Sequence, residues 1–193
     1  MRFLVVYAHP VKESFVSALH DCAVAALRSA GHEVDDCDLY AEGFQPVLLR
    51  AARIDYHNTD VNRGHASKEI ERLLACNGLV LVYPTWWYGL PAMLKGYIDR
   101  VWLPGVAFEL AGGRTKPLLT NIERFAVVTT YGSPWWLNKL IDDPSRSMLM
   151  RGIRLLFASK VRTLWLAQYG MDAADAATRE KFLRKVERKL RAF

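Results

Sequence analysis

A doubly wound α/β fold around a five-stranded parallel sheet is what this sequence predicts, and three observations carry the prediction. Five short runs of strand length, rich in branched apolar residues, alternate with stretches of helical periodicity. The third run, "NGLVLVYP", is apolar on both faces, as a central parallel strand covered by helices must be. The chain has 193 residues, 51% of them hydrophobic, which suffices for one domain with a full core; a single domain over residues 1–193 is expected.

The elements follow in order. Residues 2–7, "RFLVVY", read as the first strand, and a helix runs from about Ser14 to Ala30 until Gly31 stops it. "HEVDDCDLY" supplies a second strand near 33–38. Residues 39–63 show no clean period and read as an irregular excursion. A helix over about 67–75, with Ser67 as its N-cap, leads into the third strand at 77–84. The next helix spans about 91–102, with Pro91 in the first turn, where its missing N–H costs nothing. "RFAVVTTYGS" is the fourth strand. Residues 136–157 read as partly helical and broken near Pro144 and Gly152. "KVRTLWLAQ" is the fifth strand, and 173–191 the final helix.

Composition excludes several function classes. Cys22, Cys37 and Cys76 are odd in number, far apart and without metal-ligand spacing, so they read as core residues; no metal site is expected. Residues 75–94 are uncharged but interrupted by Asn77, Gly78, Pro84, Gly89 and Pro91, which argues against a membrane span of about 20 apolar residues. The amino-terminal run is stopped by His9 and Pro10 before it resembles a signal peptide, so a cytoplasmic location is expected. The net charge of +6 gathers in "REKFLRKVERKLRAF", whose alternating signs and Leu183, Val186, Leu190 stripe fit a solvated helix face rather than a nucleic-acid surface.

In an open parallel sheet ligands bind beyond the carboxyl ends of the strands, which singles out three loops. The first, "AHPVKESF", has neither a P-loop nor a GxGxxG pattern, yet it leads into a helix N-terminus that attracts anions. Ser14 is there either a phosphate donor or a plain N-cap, and His9 either a further donor or a turn residue. The second, "PTWWYG", groups Trp86, Trp87 and Tyr88 in a turn, where leaving them uncovered wastes burial energy unless a planar ligand or a partner subunit sits on them. The third, "TTYGSPWW", offers Thr129, Thr130 and Ser133 hydroxyls, Gly132, and two more tryptophans. Together these loops suit a planar heterocycle with a phosphate tail, such as flavin.

Four segments resemble the flavodoxin-like NAD(P)H:quinone oxidoreductases: "AHPVKESF", "DLYAEGFQPVL", "YPTWWYGLPAMLKGYIDRV" and "TTYGS". The resemblance implies a three-layer fold with strand order 2-1-3-4-5, FAD (alternatively FMN) as cofactor, NAD(P)H as co-substrate and a small quinone as acceptor. It implies that His9, Ser14 and Phe15 approach the flavin's phosphate region. It further implies that Pro84, Thr85, Trp86, Trp87 and Tyr88 border the ring system, and that Thr129, Thr130, Tyr131 and Gly132 line its opposite edge.

The chain departs from the family at informative places. The family's SFN reads Ser14-Phe15-Val16, so one polar contact is missing or supplied by Ser17. The Tyr and His that handle charge on the reduced flavin in mammalian relatives are absent: no histidine follows His65, and Leu137 falls at the Tyr position. Tyr131 is the substitute candidate for the catalytic proton. The mammalian relatives also extend further at their C-terminus. A homodimer is implied, with residues 39–63 and the Tyr97–Trp102 face as places for the contact. A second reading is a flavin- and nucleotide-binding regulatory subunit docked on a membrane potassium-efflux system. A third, a one-electron carrier, fits poorly because such carriers are generally acidic.

Overall fold

The structure is a computed structural model and describes residues 1–193. Strands β1 (Arg2–Tyr7), β2 (Glu33–Asp38) and β3 (Gly78–Pro84) form a parallel sheet with two later ones, β6 (Arg124–Thr130) and β7 (Arg162–Gln168), in the order β2-β1-β3-β6-β7. This is the expected 2-1-3-4-5 arrangement. Between β3 and β6 the chain inserts an antiparallel hairpin, β4 (Phe108–Ala111) with β5 (Arg114–Pro117).

Side chains alternate across each strand and so feed two cores. On one face Leu4, Val6, Leu79, Leu81, Tyr83, Phe125 and Val127 pack under helices α3 (Ser67–Ala75) and α4 (Ala92–Val101). On the other, Phe3, Val5, Val80, Val82, Ala126 and Val128 meet α1 (Phe15–Ser29) and α7 (Ala176–Arg191), which also pack against each other through Leu19, Ala23, Leu27, Val186 and Leu190. Central β3 is buried at every residue, as its unbroken apolar run requires.

Several expectations are corrected. The hairpin was not predicted, because β4 and β5 are largely exposed and carry no apolar alternation. Its cue was Gly112-Gly113, whose φ values of 57° and 75° build the turn. The 39–63 excursion contains a short helix α2 (Arg50–Asp55), and a 3-10 turn follows at Asn62–His65. Ser67 is the first residue of α3 rather than its cap; Ala66 holds the cap position without a side-chain bond. The final helix starts at Ala176, where the Asp175 carboxylate accepts from the Thr178 N–H at 2.8 Å, because residues 171–173 are spent on a 3-10 turn. Residues 135–156 form α5 (Trp135–Leu140), α6 (Pro144–Ser147), a π turn (Met148–Gly152) and a 3-10 turn (Ile153–Leu156), broken at Pro144 and Gly152 as expected. Tyr97 and Trp102 are buried in the first core and offer no outer face, whereas Val47, Leu49, Ile54 and Val61 in the excursion are exposed.

Candidate functional site

The strand order reverses at β1, so the crevice lies over the carboxyl ends of β1, β3 and β6. After β3 the chain makes a two-residue turn in which Trp86 and Gly89 exchange both backbone hydrogen bonds, at 3.2 and 3.0 Å. Both central residues, Trp87 and Tyr88, have left-handed φ values, 51° and 59°. That geometry is a type I′ turn, which favours Asn-Gly; placing Trp and Tyr there costs on the order of 1–2 kcal/mol per residue. The turn lifts Trp87 almost wholly into solvent, at 98% exposure.

Opposite this turn stands the loop after β6. Thr85 and Thr129 are joined by their hydroxyls at 3.0 Å, and the Thr85 N–H donates to the Thr130 carbonyl at 2.8 Å, which ties the two loops together. Between them opens a cleft of about 600 Å³ lined by Pro84, Thr85, Trp86, Trp87, Tyr88, Thr130, Tyr131, Gly132 and Ser133, with Met171 and Asp172. Gly132 lies close under Asp172: a Cβ there would stand 2.5 Å from the carboxylate, which would have to swing aside. Trp135 and Trp136, just beyond, are also exposed.

The loop after β1 sits beside this rim, with the His9 ring 6.1 Å from that of Trp86. His9 Nδ1 is engaged with the backbone of Val11, so His9 is held as a turn residue. Ser14 caps α1, its hydroxyl accepting from the Ser17 N–H at 3.1 Å. Phe15 packs on the second core. The N–H groups of Lys12, Glu13, Phe15 and Val16 have no acceptor within the chain, and they lie at the positive end of a 15-residue helix. Below them the buried Tyr7 hydroxyl faces Ser14 and Ser17 without reaching hydrogen-bond geometry to either, and burial pushes its pKa up. An unpartnered buried hydroxyl under free N–H donors is an arrangement that a phosphate oxygen completes.

The third loop is held from beneath. The Tyr131 hydroxyl donates to Asp143 Oδ1 at 2.7 Å, and the Tyr169 hydroxyl to Oδ2 of the same carboxylate at 2.9 Å. The two tyrosine rings stack at 4.6 Å. Burial, reinforced by the Asp143 carboxylate, drives the Tyr131 pKa far up, and burial together with Asp143 pushes Tyr169 to about 12. Both hydroxyls therefore stay protonated as donors.

Of the loop residues singled out in the sequence, nine line the cleft, Ser133 among them, while His9, Ser14, Phe15 and the fully buried Thr129 lie around it. Sequence reasoning missed Met171 and Asp172, although they follow the fifth strand and the strand-end rule applied to that loop too. It also missed Tyr7, Asp143 and Tyr169; nothing local marks them, since their partners come from distant parts of the chain.

A family model described as flavodoxin-like fold matches residues 1–190. An uncharacterized NAD(P)H oxidoreductase of Escherichia coli, YcaK, is 37% identical over 108 residues, covering 55% of this chain and 55% of that protein. NAD(P)H dehydrogenase [quinone] 1 of Rattus norvegicus is 32% identical over 148 residues, covering 68% of this chain and 54% of that protein. The chain thus spans about half the length of these relatives. Among solved structures, the NAD(P)H:quinone oxidoreductase of Methanothermobacter marburgensis superposes with a TM-score of 0.80 at 26% identity, over 99% of this chain and 96% of that one.

Proposed function

Because the chain belongs to the flavodoxin-like NAD(P)H:quinone oxidoreductase family, we propose that it is a flavin-dependent reductase that takes electrons from NAD(P)H and passes them to a quinone or similar electrophile. The observation that carries this is the juxtaposition of an aromatic-walled cleft with free helix N-terminal donors on one crevice. Bound flavin would supply two-electron transfer, in which nicotinamide and quinone use the same face in turn.

What this chain's own residues do can be derived. The free N–H groups and the α1 dipole hold the cofactor's phosphate, with the Tyr7 hydroxyl completing the set. His9, Ser14 and Phe15 shape that loop. Pro84, Thr85, Trp86 and Tyr88 border one edge of the ring system, and Thr129, Thr130 and Gly132 the other, with the threonine hydroxyls fixing the loop spacing. Trp87, Trp135 and Trp136 present flat surface for the incoming substrate and exclude water from it. Tyr131 is the candidate proton donor by its place on the cleft wall; its hydroxyl donates to Asp143, and it would have to leave that carboxylate to deliver a proton into the cleft.

FAD is preferred over FMN on the likeness of the phosphate loop to that of FAD-using relatives. A second copy of the chain is the proposed cover for Trp87 and for the exposed apolar residues of the 39–63 segment, giving a homodimer. No helix is long and apolar enough to cross a membrane; the cytoplasm is the proposed location.

The test is an absorbance spectrum of the purified protein, then anaerobic NADPH, then menadione. A visible flavin band that bleaches with NADPH and returns with menadione is expected. A bound flavin that NADPH and NADH both leave oxidised would replace this reading by the transporter-subunit one, and failure to take up FAD or FMN on reconstitution would end the cofactor assignment.

A further inference from the structure

Behind the cleft, where α5 gives way to α6 and the π turn, lies a separate hollow of about 260 Å³ lined by Lys139, Asp142, Asp143, Arg146, Ser147, Met150 and Arg151. Only Met150 is apolar. Three cations face it, and none forms an ion pair with a carboxylate of this chain; the Lys139 ammonium instead lies 5.9 Å over the Trp135 ring. Asp143 also accepts from the Tyr131 and Tyr169 hydroxyls, and with Asp142 it sets two carboxylates against three cations, so the hollow keeps a net positive charge. Cations in excess of carboxylates cost repulsion, and a bound anion relieves it.

The backbone here is strained in a way that surface loops seldom are. Asp142 and Asp143 are consecutive left-handed residues, at φ 60° and 43°, and Arg151 is carried on a π turn. Both features cost stability and gather at functional sites. The hollow also neighbours the cleft. Tyr131 lines the cleft while its hydroxyl reaches Asp143 in the hollow at 2.7 Å, so the wall between them is one tyrosine thick. Trp135 opens α5 at the cleft rim, and Lys139 lies four residues on, about 6 Å along the helix.

We propose that this hollow binds a phosphate group of the nicotinamide dinucleotide while its nicotinamide ring occupies the cleft. The inference rests on the reductase reading above. The phosphate is either the 2′-monoester of NADPH or the pyrophosphate common to both dinucleotides, and these sources predict different outcomes.

The test compares the flavin-loaded protein with an Arg146→Gln/Arg151→Gln double variant, and with Arg146→Lys/Arg151→Lys as the conservative control. Both arginines are exposed, so the fold is expected to survive, and thermal melting checks this. A KM for NADPH raised about tenfold to a hundredfold with kcat and the KM for NADH unchanged identifies the 2′-phosphate. An equal rise in both KM values identifies the pyrophosphate. Lysine is expected to rescue part of either effect. Unchanged KM values for both dinucleotides, or a weakened flavin affinity in place of a KM effect, would overturn the proposal. A separate titration of tryptophan fluorescence with adenosine 2′,5′-bisphosphate and with ADP needs no turnover. Salt-sensitive binding lost in the glutamine variant would uphold the anion site even if the protein reduces nothing, and binding that the variant retains would refute it.

Discussion

Replacing Trp87 by Asn separates what the turn costs from what it does. The residue sits at the first central position of a type I′ turn with φ 51°, where Asn is among the favoured residues and Trp is not. Its ring is 98% exposed, so removing it forfeits almost no burial. Left-handed geometry costs an ordinary side chain on the order of 1–2 kcal/mol, and Asn escapes about half of that. Trp87→Asn is therefore expected to stabilise the ligand-free protein by about 0.5–1 kcal/mol, which for a chain of this size raises Tm by roughly 1–4 °C. At the same time it removes flat surface from the cleft, so the KM values for quinone and NAD(P)H should rise. Melting scans at two protein concentrations, paired with steady-state kinetics, read both effects. A Tm lowered by more than about 2 °C at low concentration would refute the reasoning, because it would mean that the ring is packed against something in the monomer.

Gly96 tests the packing of α4. A Cβ there would meet the Pro46 carbonyl oxygen at 2.2 Å, a backbone atom that no rotamer change can move. Gly96→Ala should destabilise by a net 1–2 kcal/mol or so, overriding the roughly 1 kcal/mol that Ala gains as a helix former, and a lowered denaturant midpoint checks it. Alkaline stability tests the tyrosines. Tyr83, Tyr97, Tyr131 and Tyr169 all have pKa values raised above 10.0 by burial, Tyr169 to about 12. A group that holds its proton more tightly when folded gives stability that is complete below the unfolded pKa and is lost as pH rises through the folded one. Unfolding free energy should hold steady up to about pH 10 and fall above it, with tyrosinate absorbance from these four appearing only as the chain unfolds. Titration of all eight tyrosines below the unfolding transition would contradict this.

The sheet was legible because its signals are local: an apolar run with two buried faces can be read at β3 without knowing its neighbours, and the strand order then follows from the family resemblance. The two cleft loops were legible for the same reason, since grouped tryptophans in a turn are anomalous wherever they occur. The β4–β5 hairpin was not, because exposed strands carry no alternation to find. The Asp143 carboxylate, with its tyrosines from just beyond β6 and just beyond β7, was beyond reach altogether: it depends on residues 12 and 26 positions away, and only the folded chain states that proximity. Ser14 shows a milder case, in which both roles were visible: the hydroxyl oxygen accepts the cap bond, and its proton remains available to a ligand.

The pairing of α1 with α7 bears on how the chain is made. A ribosome delivers α1 about 150 residues ahead of α7, which at roughly 5–20 residues per second is a wait on the order of ten to thirty seconds. Throughout that interval Leu19, Ala23 and Leu27 lack the Val186 and Leu190 surface that covers them in the finished protein. Half of the sheet's second face is thus a nascent-chain hazard, and a chaperone that shields α1 until α7 emerges would act on synthesis yield while leaving the melting temperature of the completed protein untouched.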